Sequence, residues 1–271
     1  MLLAWLISGF LPASAQDFLS PKDRPIVLFN GKNYDDFYSW LVDSKYNDPR
    51  RIFTVTNQLL RISGDGLGYL ATRAPYGNYR LVAEWKWGTK NSPWGDRVGA
   101  ARDSGIFLHS LGPDGSSHDG RGAFRAAIEC QLFQGATGDL LLIRGTNEDG
   151  TLLSPALRAE VASVRDTDGW PWWKKGGVET NLNVWGRLNW FGKDRDWRDV
   201  TDFRGAADIE KPPGEWNRIE CVCESNRISV ILNGTLVNQA FNVYPQKGKI
   251  LLQCEGSEIF FRRLELLPLK P

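Results

Sequence analysis

Short apolar–polar alternations, each stopped by Gly, Pro, Asn or Asp, run through most of this chain, and a 3.6-residue apolar period is nearly missing. In "RISVILNG" Ile228, Val230 and Leu232 share one side, and the closing Asn-Gly is a strong hairpin-turn signal. Runs of the same kind recur as "RIFTVTNQLLRIS", "YRLVAEWKWG", "SGIFLHS", "AIECQLFQ", "DLLLIRG" and "WNRIECVCES". Side chains in a strand alternate between faces, so each run must cover its apolar side with another layer. Many short strands with turns between them predict an all-β sandwich, jelly roll or barrel.

The 271 residues fit a single all-β domain, read here as 26–271 after a short linker at 16–25. A net charge of +1 gives no reason to expect nucleic acid or an acidic membrane surface as a partner. The run from Leu2 to Leu11 is shorter than the roughly 20 apolar residues of a membrane span. "ASA" and Gln16 come after it, a small-x-small site that predicts a signal peptide over 1–15 and a secreted or periplasmic protein. Cys130, Cys221, Cys223 and Cys254 sit on apolar strand phases with no metal-binding spacing, and are read as buried thiols. In an oxidising compartment a bridge from Cys254 to Cys221 or Cys223 is the alternative. The stretch from 166 to 211 is rich in Trp, Arg, Asp and Gly and poor in aliphatic runs, which predicts a loop excursion from the sandwich.

Polar residues fall on one phase of several strands. Glu84 is in phase with Arg80 and Lys86, Phe107 with His109, Glu129 with Gln131, and Gln253 with Glu255. Jointly these predict a cleft floored by Glu84, His109, Glu129, Gln131 and Gln253. Glu129 is the anomaly, a carboxylate inside the otherwise apolar "AIECQLF". A retaining glycosidase needs two carboxyls about 5–5.5 Å apart. Laminarinase-type sandwiches supply them from one strand as Glu-x-Asp-x-Glu, whereas here the run is Glu129-Cys130-Gln131-Leu132-Phe133-Gln134, with amides in the later places. On this strand Glu129 has no pair.

The motifs "LFNGKNYDDFYSWL", "RDSGIFLHS", "AIECQLFQGATGD", "PGEWNRIE", "LNGTLVN" and "GKILLQCEGSEIFFRRLELLPL", in this order, resemble the 3-keto-disaccharide hydrolase family from about Ile26 to Leu269. The resemblance implies a concanavalin A-like jelly-roll β-sandwich of two curved antiparallel sheets, bacterial export, and cleavage of glycosides already oxidised to a ketone at C3. Such a ketone acidifies the C2 proton, so a base, elimination of the C1 substituent and hydration together amount to hydrolysis without a carboxylate nucleophile.

On this reading Glu129 is the base and His109 the alternative base. Arg102 is a candidate for the ketone oxygen and Asp103 for orienting substrate; Gln131 and Gln253 suit sugar hydroxyls, and Glu84 pairs with Arg102 or joins a metal site. A divalent cation polarising the ketone is a candidate cofactor, with Glu129, His109, Glu84 and Asp103 as its donors. From "DGWPWWKKGG" and the segment after it, Trp173 and Trp190 are candidate stacking platforms for a glycoside substrate, the alternative being that they anchor a loop. "GATGD", 135–139, reads as a hairpin turn. The competing function is a non-catalytic, lectin-like binding module, because one sandwich serves both purposes.

Overall fold

The computed structural model describes residues 17–183 and 186–269, so the predicted signal peptide lies outside the described residues. The chain is an all-β sandwich of an eleven-stranded and an eight-stranded antiparallel sheet, with a two-stranded ribbon beside them. Its only helical turn among the described residues is Trp94–Asp96. The longest strands, Tyr79–Asn91 and Ser257–Leu267, pair with each other at the centre of the larger sheet.

The smaller sheet bears most of the polar residues singled out in the sequence. Its order is Gly186–Leu188, Leu140–Ile143, Ala126–Phe133, Asp103–Leu111, Lys247–Glu255, Leu67–Thr72 and Phe37–Leu41, with Tyr76–Gly77 against the Lys247 end. Inward phases such as Ile106, Leu108, Ile128, Cys130, Leu132, Leu252 and Cys254 meet Leu81, Ala83, Trp85, Ile219 and Phe261 of the other sheet in one core. Burying each large apolar side chain there contributes about 1.5–3 kcal/mol. All four cysteines are free and buried in this core, as read from their phases. "GATGD" is the turn joining Ala126–Phe133 to Leu140–Ile143.

Ala126–Phe133 and almost all of Asp103–Leu111 are buried on both faces. The outer face is covered by a second apolar cluster including Trp40, Tyr69, Phe107, Phe124 and Leu251, and by loops. Within 166–211, Pro171–Trp173, Val178–Leu182 and Gly186–Leu188 join the sheet margins; from 189 onward the chain runs without a strand as far as 216. This run lies over the 97–102 and 133–135 segments. Asp199 Oδ1 accepts from the Ala101 N–H, the Thr201 N–H donates to Gly99 O, and the Trp197 indole donates to Gln134 O.

His109 does not face the cleft, contrary to strict alternation. The pairing register shifts between Leu108 and Leu111, and His109 takes a left-handed φ of 55°. A bulge of this kind re-aims the side chain. The fully buried ring meets Tyr79 edge-on at 5.7 Å, and Nδ1 donates to Pro245 O at 2.9 Å. Burial pushes its pKa down to about 4, so the folded protein holds it neutral. A depressed histidine contributes stability that is complete above its unfolded value near 6.5 and is lost as pH falls toward 4. The full effect is about 3 kcal/mol, from a shift of roughly two and a half units. Urea unfolding of wild type and His109→Asn should therefore give a stability gap that narrows steadily from pH 7 to about pH 4. A gap that does not change with pH would contradict a neutral, buried His109.

Candidate active site

Three adjacent strands of the smaller sheet place polar groups on one patch of its outer face. Asp103, Gly105 and Phe107 stand opposite Phe133, Gln131 and Glu129; on the next strand Leu251 is opposite Phe107, and Gln253 and Glu255 continue the same phase. The decisive local feature is Gly105. A Cβ there would lie 2.1 Å from Glu129 Oε1, so the carboxyl of Glu129 occupies the space a side chain at 105 would fill.

The result is a group of three carboxyls, Asp103, Glu129 and Glu255, drawn from three strands. Burial pushes the Glu129 pKa well above the usual carboxylate range; the Asp103 and Glu255 charges add to this and Arg187 opposes it. Asp103 is raised by burial and by Glu255, against Arg97 and Arg187. Glu255, half-buried at its surface, is raised by desolvation to about 7, with Arg97 and Arg121 opposing. Two guanidiniums serve this group. Arg97 and Arg187 both lie over the Phe133 ring, at 5.5 and 5.8 Å from its centroid, and Arg97 Nη1 is 3.9 Å from Asp103 Oδ2. Asp199 holds Arg97 from the other side at 3.0 Å, and Asp139 holds Arg187 at 3.6 Å.

Four buried oxygens on this face have no hydrogen-bond donor among the described residues: Asp103 Oδ1, Glu129 Oε1, Gln131 Oε1 and Gln253 Oε1. Gln253 spends its amide on Glu255, donating from Nε2 at 2.7 Å. Buried acceptors without donors are costly, and a molecule rich in hydroxyl donors relieves that cost.

The family profile of the 3-keto-alpha-glucoside-1,2-lyase-like domain matches residues 24–267. The chain belongs to that family. Membership supports a carbohydrate-active role, with a hydrolase-type enzyme as the general class. No curated protein matches the chain. Among solved structures, a Parabacteroides distasonis ATCC 8503 protein described as a "Putative glycosyl hydrolase" is 18% identical, covering 91% of this chain and 100% of its own, with a TM-score of 0.50. A second such structure from the same organism is 16% identical over 92% and 95%, with a TM-score of 0.48. The Bacillus licheniformis beta-glucanase is 12% identical over 90% and 98%, with a TM-score of 0.44. At these identities the first likeness bears on the sandwich fold alone.

Within this family member the predicted residues divide. Glu129, Asp103, Gln131 and Gln253 are brought together. Glu84 is on the larger sheet, where Arg218, Arg262 and Arg263 surround it at 2.7–3.3 Å, so it neither floors the cleft nor meets Arg102. Arg102 extends away from Asp103's face and donates to Gly88 O, Gln134 Oε1 and Asp202 Oδ1. Trp190 is buried under the 135–139 turn, its indole pointing to Gly135 O and its backbone N–H donating to Asp139 Oδ1. Trp173 packs in the core at the sheet margin, against Phe191.

The four-residue metal set is not assembled, because His109 and Glu84 are elsewhere. Among the described residues no three His, Cys, Asp or Glu side chains are grouped closely enough to hold a metal ion. The carboxyls of Asp103, Glu129 and Glu255 sense one another's charge without forming an ion cage.

Glu255, Arg97, Arg187 and Gly105 are the site residues missing from the sequence reading of the cleft. The phase of Glu255 with Gln253 carried a usable signal. Gly105 carried a weaker one, as a glycine inside a strand marks a close approach. Arg97 and Arg187 gave none, since they reach the site from outside its central strands.

Proposed function

We propose that this buried carboxyl cluster on the smaller sheet cleaves 3-keto-glycosides by elimination across C1 and C2, followed by hydration, in a protein exported from the cell. The observation that carries this reading is the desolvated Glu129 carboxyl among donorless oxygens, with Arg187 opposing its shift and Arg97 at the adjoining Asp103. Glu129, when ionised, takes the C2 proton. The C–H electrons form the C1–C2 double bond conjugated with the C3 ketone, and the C1–O bond to the leaving group breaks. Water then adds its oxygen to C1 and a proton returns to C2. Arg97 and Arg187 are the cations for the negative charge that builds on the ketone oxygen in the transition state. A carboxyl whose pKa burial raises to about 7, as Glu255's is, suits protonation of the departing oxygen. Gln131 and Gln253 offer acceptor oxygens to sugar hydroxyls. The family's description as 1,2-lyase-like agrees with chemistry at C1 and C2.

A second reading has one specific support. Glu129 is alone on its strand but not in space, because Asp103 and Glu255 adjoin it from neighbouring strands. More than one carboxyl in one charge-coupled group is also what a conventional glycosidase on unmodified sugar requires, given the separation that chemistry needs. The deciding experiment gives the mature protein a chromogenic 3-keto-glucoside and the parent glucoside, with and without a chelator. Release from the keto sugar alone supports elimination, and release from the parent glucoside supports the second reading. Binding of both without cleavage would sink both in favour of a lectin-like module. Loss of activity with the chelator would add a cation to the scheme.

The raised carboxyls predict a pH profile. Since Glu129 must be ionised to act, the acid limb of kcat/KM should lie well above the ordinary carboxylate value of about 4.3. A limb near pH 4 would show that the working base is not a desolvated carboxylate.

A further inference from the structure

A second concavity, of about 430 Å³, opens at the sheet margin and is lined by Trp172, Trp173, Phe191, Lys174, Lys175, Lys193 and Arg195, with Ala162 and Val164 as its apolar wall. That volume is in the range of small-molecule sites, about 300–1,000 Å³. Its charge is one-sided: among the described residues four cations and no carboxylate line it, in a chain whose 33 basic and 32 acidic residues almost balance. Its aromatic content is built rather than incidental. The Trp172 indole donates to Lys193 O at 3.1 Å, Trp173 meets Phe191 at 6.3 Å, and Phe191 is still 47% exposed. Lys193 is the buried member. Its ammonium donates to Asn189 Oδ1 at 2.7 Å and lies 3.4 Å from Asp139 Oδ2, the carboxylate that also holds Arg187 of the cleft. Lys174 and Lys175 are exposed at the mouth and have charge to offer an incoming ligand.

We propose that this concavity is a separate binding site for an acidic saccharide, a pyranoside carrying a carboxylate or a sulfate ester. The exposed Phe191 ring, backed by the buried Trp172 and Trp173, matches the C–H face of a pyranose, and the exposed ammonium and guanidinium groups match its anion. Arg195 lies 5.8 Å from the Trp172 ring at the groove, and Lys193 lies 5.0 Å from the Trp197 ring behind it. A neutral sugar hydroxyl can accept from these donors, but only an anion also gains the charge attraction, so the lining favours acidic over neutral saccharides.

Calorimetric titration tests this with three probes: a galacturonate oligosaccharide, a sulfated galactose disaccharide and a neutral galactose disaccharide. Wild type should bind at least one acidic probe, with affinity falling as salt is added, and bind the neutral one at least tenfold more weakly. Lys174→Glu with Lys175→Glu, both at exposed positions, should lower acidic-probe affinity at least tenfold while leaving the unfolding temperature unchanged. Phe191→Ala should weaken it as well. Glu129→Gln should bind the acidic probes as wild type does, which separates this site from the cleft whatever the cleft's chemistry proves to be. Equal binding of neutral and acidic probes, no binding of either acidic probe, or undiminished binding by the charge-reversed variant would overturn the proposal.

Discussion

Glu129→Gln is expected to lower cleavage of a 3-keto-glucoside by about 10³-fold, within the 10²–10⁴ that general base catalysis contributes. The substitution keeps the shape and removes only the group that accepts the C2 proton. Its effect on stability should have the opposite sign. The folded-state pKa of Glu129 is raised by burial and by Asp103 and Glu255. Such a carboxyl binds its proton more tightly folded than unfolded, so its contribution is complete below the ordinary carboxylate value and is lost as pH rises through the raised one. The amide has no proton to lose. Unfolding temperatures of the two proteins should therefore agree at about pH 4 and diverge above neutrality, with the variant the more stable. A variant that unfolds more easily at every pH and still cleaves would leave Glu129 as a packing residue only.

Gly105→Ala should cost about 10²-fold in kcat with little change in unfolding temperature, an effect of the size expected from an ångström-scale misplacement. The three atoms nearest the added Cβ all belong to the Glu129 side chain: Oε1 at 2.1 Å, Cδ at 2.9 Å and Cγ at 3.0 Å. No backbone atom is among them, so the strand need not move and the carboxyl must. Steady-state kinetics beside a thermal melt would decide it. Wild-type activity would mean that the carboxyl works from another position, and a melt lowered by many degrees would place the strain in the sheet.

Alternation along the strands was enough to read the sandwich, because a two-residue period survives in sequence wherever one face is buried. It also put Glu129, Gln131 and Gln253 on one face, where they are found. It failed at His109 because one left-handed residue reverses every face assignment beyond it, and "FLHS" gives no sign of a bulge. It failed at Glu84 for another reason. Phase tells which residues share a face of a strand, not whether that face is the cleft or the opposite surface of the molecule, where three arginines neutralise this carboxylate. The isolation of Glu129 was also only linear. Asp103 and Glu255 are 26 residues before it and 126 after it, and only the order of strands in the sheet makes them neighbours.

Arg102, the residue beside that carboxyl group in sequence, turns its back on it and gathers a strand carbonyl, Gln134 and Asp202 into one knot. The long crossing segment is thereby moored near its middle. Its outward stretch, which supplies Asp199 to the Arg97 side of the cleft and Lys193 and Arg195 to the basic groove, hangs from that mooring. One length of chain thus furnishes the walls of two recesses while the sheet beneath supplies the reacting groups. Exchange of residues 194–196 between relatives is a route to new ligand preferences that leaves Asp199 and its hold on Arg97 in place, provided the guanidinium at 102 and its carboxylate partner travel unaltered.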